Sequence, residues 1–260
     1  MRELVGRTAL LTGASSGLGP VIARRLHTEG VRFVLSARRR PELEGLAREL
    51  VGSRVVVADL ARRGEAERLA TEAGPVDILI ANAGVPVSGP LASLEVGEID
   101  GGLEVNLRAA IVLTRLLLPA MLERRSGHVV LIASLAGQVP APRNSIYNAT
   151  KFGLRGFGHA LRAELSGTGV GVSLISPSFV RDAGMWAETG EHSPFEVSPG
   201  QVAEAVVSGI RKDRAEVSVA PFVGRFGGRL ALVAPSLFLR VAGRTGAIPE
   251  EAIERRRRRR

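Results

Sequence analysis

Seven short apolar runs, each separated from the next by helical periodicity or turn residues, constrain the fold of this chain more than any other feature. The runs fall at residues 8–12, 32–36, 55–58, 78–81, 128–133, 170–175 and 216–220. They are rich in valine, isoleucine and leucine and are continuous rather than alternating, as strands are when helices cover both faces of a sheet. Helical patterns occupy residues 18–29, 62–73, 98–123 and 147–165, and a further helix starts near Pro41, a residue suited to a first helical turn. Alternation of this kind predicts the α/β class: a Rossmann-type, doubly wound parallel sheet of about seven strands flanked by helices. At 260 residues, with no internal repeat and no long linker, the chain reads as a single domain over residues 1–254.

The first strand-to-helix turn reads Gly13-Ala14-Ser15-Ser16-Gly17-Leu18-Gly19. Glycines there allow a tight turn and a close approach of backbone to a pyrophosphate, and the helix behind them offers free N–H groups and a positive dipole end. The same residues spell G-x-S-x-G, the nucleophile elbow of α/β-hydrolases, with Ser15 as nucleophile. Position argues against that alternative. An elbow follows several strands and precedes its acid and histidine, whereas here it follows the first strand, and His27 lies in the same helical region.

A carboxylate that binds a ribose 2′-hydroxyl would end the second strand. That stretch reads Ser36-Ala37-Arg38-Arg39-Arg40 and holds no carboxylate. A guanidinium grips a 2′-phosphate by paired hydrogen bonds, so Arg38 and Arg39 point to NADP(H) in preference to NAD(H).

Tyr147 is the only tyrosine and Lys151 one of two lysines, and they stand four apart at the start of a predicted helix. That spacing projects both from one face. An ammonium beside a phenol stabilises phenolate and brings the tyrosine towards working pH, which suits proton exchange with a carbonyl or alcohol oxygen. As an isolated pair, the two would be ordinary surface decoration. Their place after the fifth strand, downstream of the glycine turn, makes them candidates for catalysis.

Thr12-Gly13-xxx-Gly17-x-Gly19, Asp59-Leu60, Asn82-Ala83-Gly84, Asn106, Ser134 and Tyr147-xxx-Lys151 occur in an order and spacing that resemble the compact branch of the short-chain dehydrogenase/reductase superfamily. The likeness runs from about Arg7 to Ala220. The resemblance implies a catalytic tetrad of Asn106, Ser134, Tyr147 and Lys151. In it Ser134 would hold the substrate oxygen, Tyr147 would exchange the proton, Lys151 would bind the nicotinamide ribose, and Asn106 would support a water. It implies cofactor contacts from Gly13, Ser15, Ser16, Gly17, Leu18, Gly19, Asp59, Leu60, Asn82, Ala83, Gly84, Pro177 and Val180. It also implies an oligomer, a homodimer or homotetramer, through the helices around Asn106 and Tyr147. The activity implied is NADP(H)-dependent interconversion of a carbonyl and a secondary alcohol. Asp59 also suits a helix cap, and Ser134 a loop-satisfying role. The chain departs from the family where Asp182 replaces a threonine after the sixth strand, and where Gly101-Gly102 is expected to interrupt the helix leading to Asn106.

Residues 178–200, rich in Gly, Pro, Ser and acidic side chains, would form a lid over the carboxyl ends of the strands, where such sheets bind ligands. Phe179, Met185, Trp186 and Phe195 would line a pocket or anchor the loop, and their apolar character points to a lipophilic substrate. The segment 222–247 reads as a packed helix in preference to one lying on a membrane surface, being too short and too charged to span a bilayer.

Six of the nine net positive charges sit in the run 255–260, which reads as a solvated tail. A nucleic-acid partner is therefore not the expectation. With no cysteine, disulfides, thiolate nucleophiles and sulfur-ligated metals are excluded, and no metal site is expected. The absence of a secretory pattern at the start points to a cytoplasmic protein. The remaining alternative is a catalytically idle sensor that binds NADP(H) without turnover, against which the intact tetrad argues.

Overall fold

A computed structural model describes residues 3–187 and 192–233, with Ser236 and Arg240 as single helical positions. The remainder of the expected 222–247 segment, and the arginine run 255–260, lie outside the described residues.

The chain alternates as β1 (Thr8–Thr12), α1 (Leu18–His27), β2 (Arg32–Ala37), α2 (Arg40–Glu49), β3 (Arg54–Val57), α3 (Glu65–Ala73) and β4 (Ile78–Ala81). It continues through α4 (Val96–Leu103), a π-helical turn Glu104–Arg108, α5 (Ala109–Glu123), β5 (Gly127–Ile132), α6 (Ser145–Glu164) and β6 (Val170–Pro177). The last part holds β7 (Phe179–Val180), α7 (Gly184–Ala187), β8 (Glu196–Val197), α8 (Pro199–Lys212), β9 (Glu216–Val219) and α9 (Phe222–Val233). Seven strands form one sheet in the order β3-β2-β1-β4-β5-β6-β9, every neighbouring pair parallel. The chain winds outward from β1 to β3, then returns past β1 to place β4 on its other side. The switch point is therefore the gap between the carboxyl ends of β1 and β4.

Continuous apolar strands are explained by the two cores they feed. Alternate residues point to opposite faces: Ala9, Leu11, Phe33, Leu35, Ile78, Ile80, Val130 and Ile132 enter one core with α1, α2 and α8. Leu10, Val34, Leu79, Val129, Leu131, Val172 and Leu174 enter the other with α3, α5 and α6. The unit Val96–Glu123 is long and apolar enough to cross a membrane by composition alone. It instead packs Ala109, Leu113, Leu117 and Met121 into the second core.

Gly101-Gly102 does not interrupt this helix as the sequence leads one to expect. The helix runs through the pair because tertiary packing requires glycine at the second position: a Cβ on Gly102 would lie 2.4 Å from Val87 Cγ2. The break comes instead at the π-turn, which holds the buried Asn106. Such single-turn widenings occur most often at functional sites.

Candidate active site

The wall at the switch point on the β1 side is shaped by backbone. Gly13 and Gly17 take left-handed φ values of 65° and 61°. Gly19 is required for close approach, since a Cβ there would come within 2.3 Å of the Gly13 carbonyl oxygen. Behind the turn, Thr12 and Asn82 lock β1 to β4. Thr12 Oγ1 accepts from the backbone N–H groups of Asn82 (3.1 Å) and Ala83 (3.0 Å), and Asn82 Nδ2 donates to the carbonyls of Thr12 (3.0 Å) and Gly13 (3.2 Å). The N-terminus of α1 has neither a side-chain cap nor an acidic residue in its first turn; of its N–H groups, that of Gly19 donates to the Ser16 carbonyl at 3.2 Å and Pro20 has none.

Arg39, more than Arg38, meets this turn. Its guanidinium donates to Ser15 Oγ (3.4 and 3.3 Å) and to the Ser15 carbonyl (3.2 Å), while Arg38 stands exposed one residue past β2. Ser15 Oγ therefore faces a guanidinium. The four histidines are engaged elsewhere: His27 with the Val31 carbonyl, His128 with Ser173, His159 with Glu216, and His192 with Glu196. No described histidine is placed to activate Ser15, which removes the base a hydrolase would need.

Asp59 accepts from the Ala61 N–H at 3.2 Å and its own N–H donates to Glu65 Oε2 at 3.1 Å, so it caps the turn into α3. Leu60 is buried in the second core and Leu18 packs against the first.

The opposite wall is made of side chains from β5, the π-turn and α6. Lys151 is buried, and its Nζ donates to the Ile132 carbonyl at 2.9 Å. The same ammonium lies 5.7 Å from the centroid of the Tyr147 ring, within cation–π range. Burial lowers the Lys151 pKa to about 8. No carboxylate pairs with it among the described residues.

Asn106 Oδ1 accepts from Val85 N–H (2.7 Å) and Nδ2 donates to the Val85 carbonyl (2.9 Å) and weakly to Thr150 Oγ1 (3.4 Å). A Cβ placed on Gly84 would meet Met185 Cε at 3.2 Å, Asn106 Oδ1 at 3.4 Å and Lys151 Nζ at 3.9 Å. These three side chains therefore converge on the end of β4. Ser134 Oγ accepts from Ala136 N–H (3.1 Å) and donates to the Pro177 carbonyl at 3.5 Å, a weak bond that leaves its proton easy to redirect.

Two supporting residues escaped the sequence reading. Buried Asn148, next to Tyr147, donates to the Ala136 (2.6 Å) and Val139 (2.9 Å) carbonyls and accepts from Ala141 N–H (3.2 Å), tying the Ser134 loop to α6. Gly137 lets that loop touch the helix, since its Cβ would sit 2.7 Å from the Lys151 carbonyl. A polar residue on the buried face of a helix was the available signal for Asn148. Its partners are carbonyls of a loop whose path is not written locally.

Over the crevice, Asp182 (φ 59°) and Gly184 (φ 71°) turn the chain so that Gly184 meets Gly17, with a Cβ on the latter falling 3.1 Å from Gly184 Cα. Phe179 and Trp186 pack on each other at 4.2 Å, and Trp186 Nε1 donates to Glu196 Oε1 at 3.0 Å. Both thus anchor the lid, and Phe195 lies against α9. Val180 pairs with Val197 of β8.

A doubly wound parallel sheet with a glycine-walled crevice at its switch point defines a class of ligand-binding α/β proteins. Residues 7–194 match the family model for short chain dehydrogenases. Ketoacyl reductase HetN of Nostoc is 40% identical over 233 residues, covering 84% of this chain and 80% of that protein. Dehydrogenase/reductase SDR family member 7B of mouse is 33% identical over 254 residues, covering 89% and 79%. Among solved structures, a variant of actinorhodin polyketide ketoreductase with NADPH superimposes with a TM-score of 0.75 at 33% identity, covering 84% of this chain and 97% of that one. A metagenomic short-chain oxidoreductase in complex with NADP gives a TM-score of 0.71 at 33% identity, covering 84% and 98%. The protein belongs to the short-chain dehydrogenase/reductase family and is a dehydrogenase/reductase enzyme.

Proposed function

We propose that the protein is an NADP(H)-dependent reductase or dehydrogenase that interconverts a carbonyl and a secondary alcohol on a lipophilic small molecule. The observation that carries this reading is the buried Lys151 ammonium, without a carboxylate partner among the described residues, held beside the only tyrosine of the chain. A buried cation is costly, and such groups concentrate where they are used.

The crevice residues fit a dinucleotide. Gly13, Gly17 and Gly19 form a cradle that Cβ atoms would fill, and the uncapped first turn of α1 suits a pyrophosphate. Arg38 and Arg39 suit a 2′-phosphate, and a carboxylate that would repel it is absent from the end of β2. Pro177 and Val180, at the end of β6 and the start of the lid, would border the nicotinamide end. NADP+ and NADPH accompany several of the similar solved structures.

When bound, the nicotinamide supplies or accepts the hydride. The protein's part is positional and protonic. Ser134 Oγ turns from Pro177 to the substrate oxygen and donates to it. Tyr147 gives its phenolic proton to that oxygen as negative charge develops, or takes it back in the alcohol direction. The Lys151 ammonium stabilises the phenolate so formed and suits a ribose hydroxyl as a hydrogen-bond partner. Asn106 fixes Val85, at the end of the segment that walls the crevice. Met185, which reaches the end of β4 beside Asn106 and Lys151, gives the crevice an apolar contact that suits a lipophilic substrate, while the Phe179–Trp186 pair anchors the lid that carries it. Exposed Leu103, Leu116 and Phe152 on α4, α5 and α6 support a homo-oligomer through those helices.

The test is a panel of hydrophobic ketones and alcohols assayed with NADPH, NADH and their oxidised forms, in wild type and in Arg38→Ala and Arg39→Ala. Turnover with NADPH, at least tenfold tighter than NADH and levelled by the arginine variants, is expected. Equal affinity for the two cofactors in wild type contradicts the cofactor assignment, and no turnover across the panel contradicts the reaction.

A further inference from the structure

Helix α9 carries its apolar pattern inside out. Towards the body it turns small residues: Ala231 is buried, a Cβ on Gly224 would lie 3.5 Å from Phe195 Cδ1, and one on Gly228 would lie 2.7 Å from Gln138 Oε1. These three recur at i, i+4 and i+7, a single face. The large apolar residues face out, with Phe222 74%, Val223 67%, Leu230 37% and Val233 86% exposed. At helical spacing these four share an arc of roughly 100°, and Leu232, 37% exposed, lies outside it. A helix docked on a soluble core shows the reverse arrangement, and a contiguous exposed apolar face marks an interaction surface.

Charge decides what covers it. Residues 222–260 hold ten arginines against three glutamates, with no lysine or aspartate, so seven of the nine net positive charges follow the start of this helix. A second copy of the chain would bring these charges against each other. Nucleic acid would satisfy the arginines but offers no apolar layer to Phe222 and Val233. A bilayer with anionic headgroups satisfies both features.

We propose that α9 is a membrane-surface anchor, with its Phe222–Val233 arc in the headgroup–acyl boundary of an anionic leaflet and the arginine-rich end of the chain held to the headgroups. Arg225, Arg229 and Arg240 interrupt the apolar residues of this segment, so it lies on the membrane rather than crossing it. The docked face is continuous with the Ser134 loop through Leu135 and with the lid through Phe195. The anchor does not depend on the nature of the substrate.

The test is sedimentation of the full chain with vesicles of phosphatidylcholine alone or mixed with phosphatidylglycerol, from about 0.1 M to about 0.5 M salt. Two variants accompany it: Phe222→Ser with Val233→Ser, and a chain ending at Glu254. Wild type is expected to partition onto the anionic vesicles, falling with salt. The double substitution should weaken partitioning by about tenfold or more at unchanged circular dichroism and thermal midpoint. The shortened chain should weaken it severalfold and flatten the salt dependence. Failure of wild type to sediment with anionic vesicles overturns the proposal, and so does equal partitioning of wild type and the double variant. A dimer that the double substitution dissolves, or retention on a DNA oligonucleotide, overturns it when either occurs without vesicle binding.

Discussion

The two walls of the switch-point crevice are built on different principles. On the β1 side the surface is backbone: Gly13, Gly17 and Gly19 leave room, and the Thr12–Asn82 bonds fix the turn that makes it. On the β5 side the surface is side chain: Asn106, Ser134 and Lys151 are held by hydrogen bonds, and Tyr147 lies beside the Lys151 ammonium. The first wall is a matter of space and the second of charge and proton position. Substitutions should therefore fail differently on the two sides.

The largest contrast should come from two glycine-to-alanine changes. Gly19→Ala places a carbon 2.3 Å from a backbone oxygen, and the turn must shift to admit it. NADPH affinity, read by fluorescence titration, should fall by about a hundredfold or more with the loss of the pyrophosphate cradle. Gly156→Ala in α6 meets nothing within 4 Å. It should leave affinity unchanged and raise stability by up to about 1 kcal/mol.

On the other wall the signature should be electrostatic. Burial lowers the Lys151 pKa from 10.5 to about 8, so the unfolded chain binds more protons than the folded one between those values. Stability from this group therefore rises with pH across that window, and is lowest where the buried ammonium is charged. Without cofactor, wild type should gain on Lys151→Met by up to about 3 kcal/mol between pH 8 and pH 10.5. Denaturant midpoints of both proteins across that range measure it. A constant difference would mean the ammonium is not desolvated.

Asn148→Ala should have the smallest effect. It removes the ties between α6 and the Ser134 loop without touching either wall. A fall in kcat of about tenfold at unchanged NADPH affinity is expected from a loosened serine. Equal loss of affinity would place Asn148 in cofactor binding instead.

The contrast also explains what was legible in the sequence. The glycine turn could be read directly, because a positive φ and an absent Cβ are properties of single residues at fixed spacing. Sheet and order of elements followed from continuous apolar runs, which need cover on both faces. Tyr147 and Lys151 were legible from their spacing on one helix. What holds them was not. Asn148 and Gly137 act through backbone atoms of a distant loop, and the choice of Arg39 over Arg38 as partner of Ser15 depends on where β2 ends. Gly102 read as a helix breaker because its reason, Val87, lies across a tertiary contact. The lid aromatics could be assigned as anchors only once Phe179 and Trp186 were seen packed together.

The central claim is that the Tyr147 hydroxyl carries the proton, beside an ammonium held for that purpose. Tyr147→Phe removes one oxygen and leaves the ring over which Lys151 sits. Measured with NADPH and a ketone that the wild type reduces, turnover should fall by about a thousandfold or more while NADPH affinity stays within about threefold. Turnover within tenfold of wild type would contradict the account.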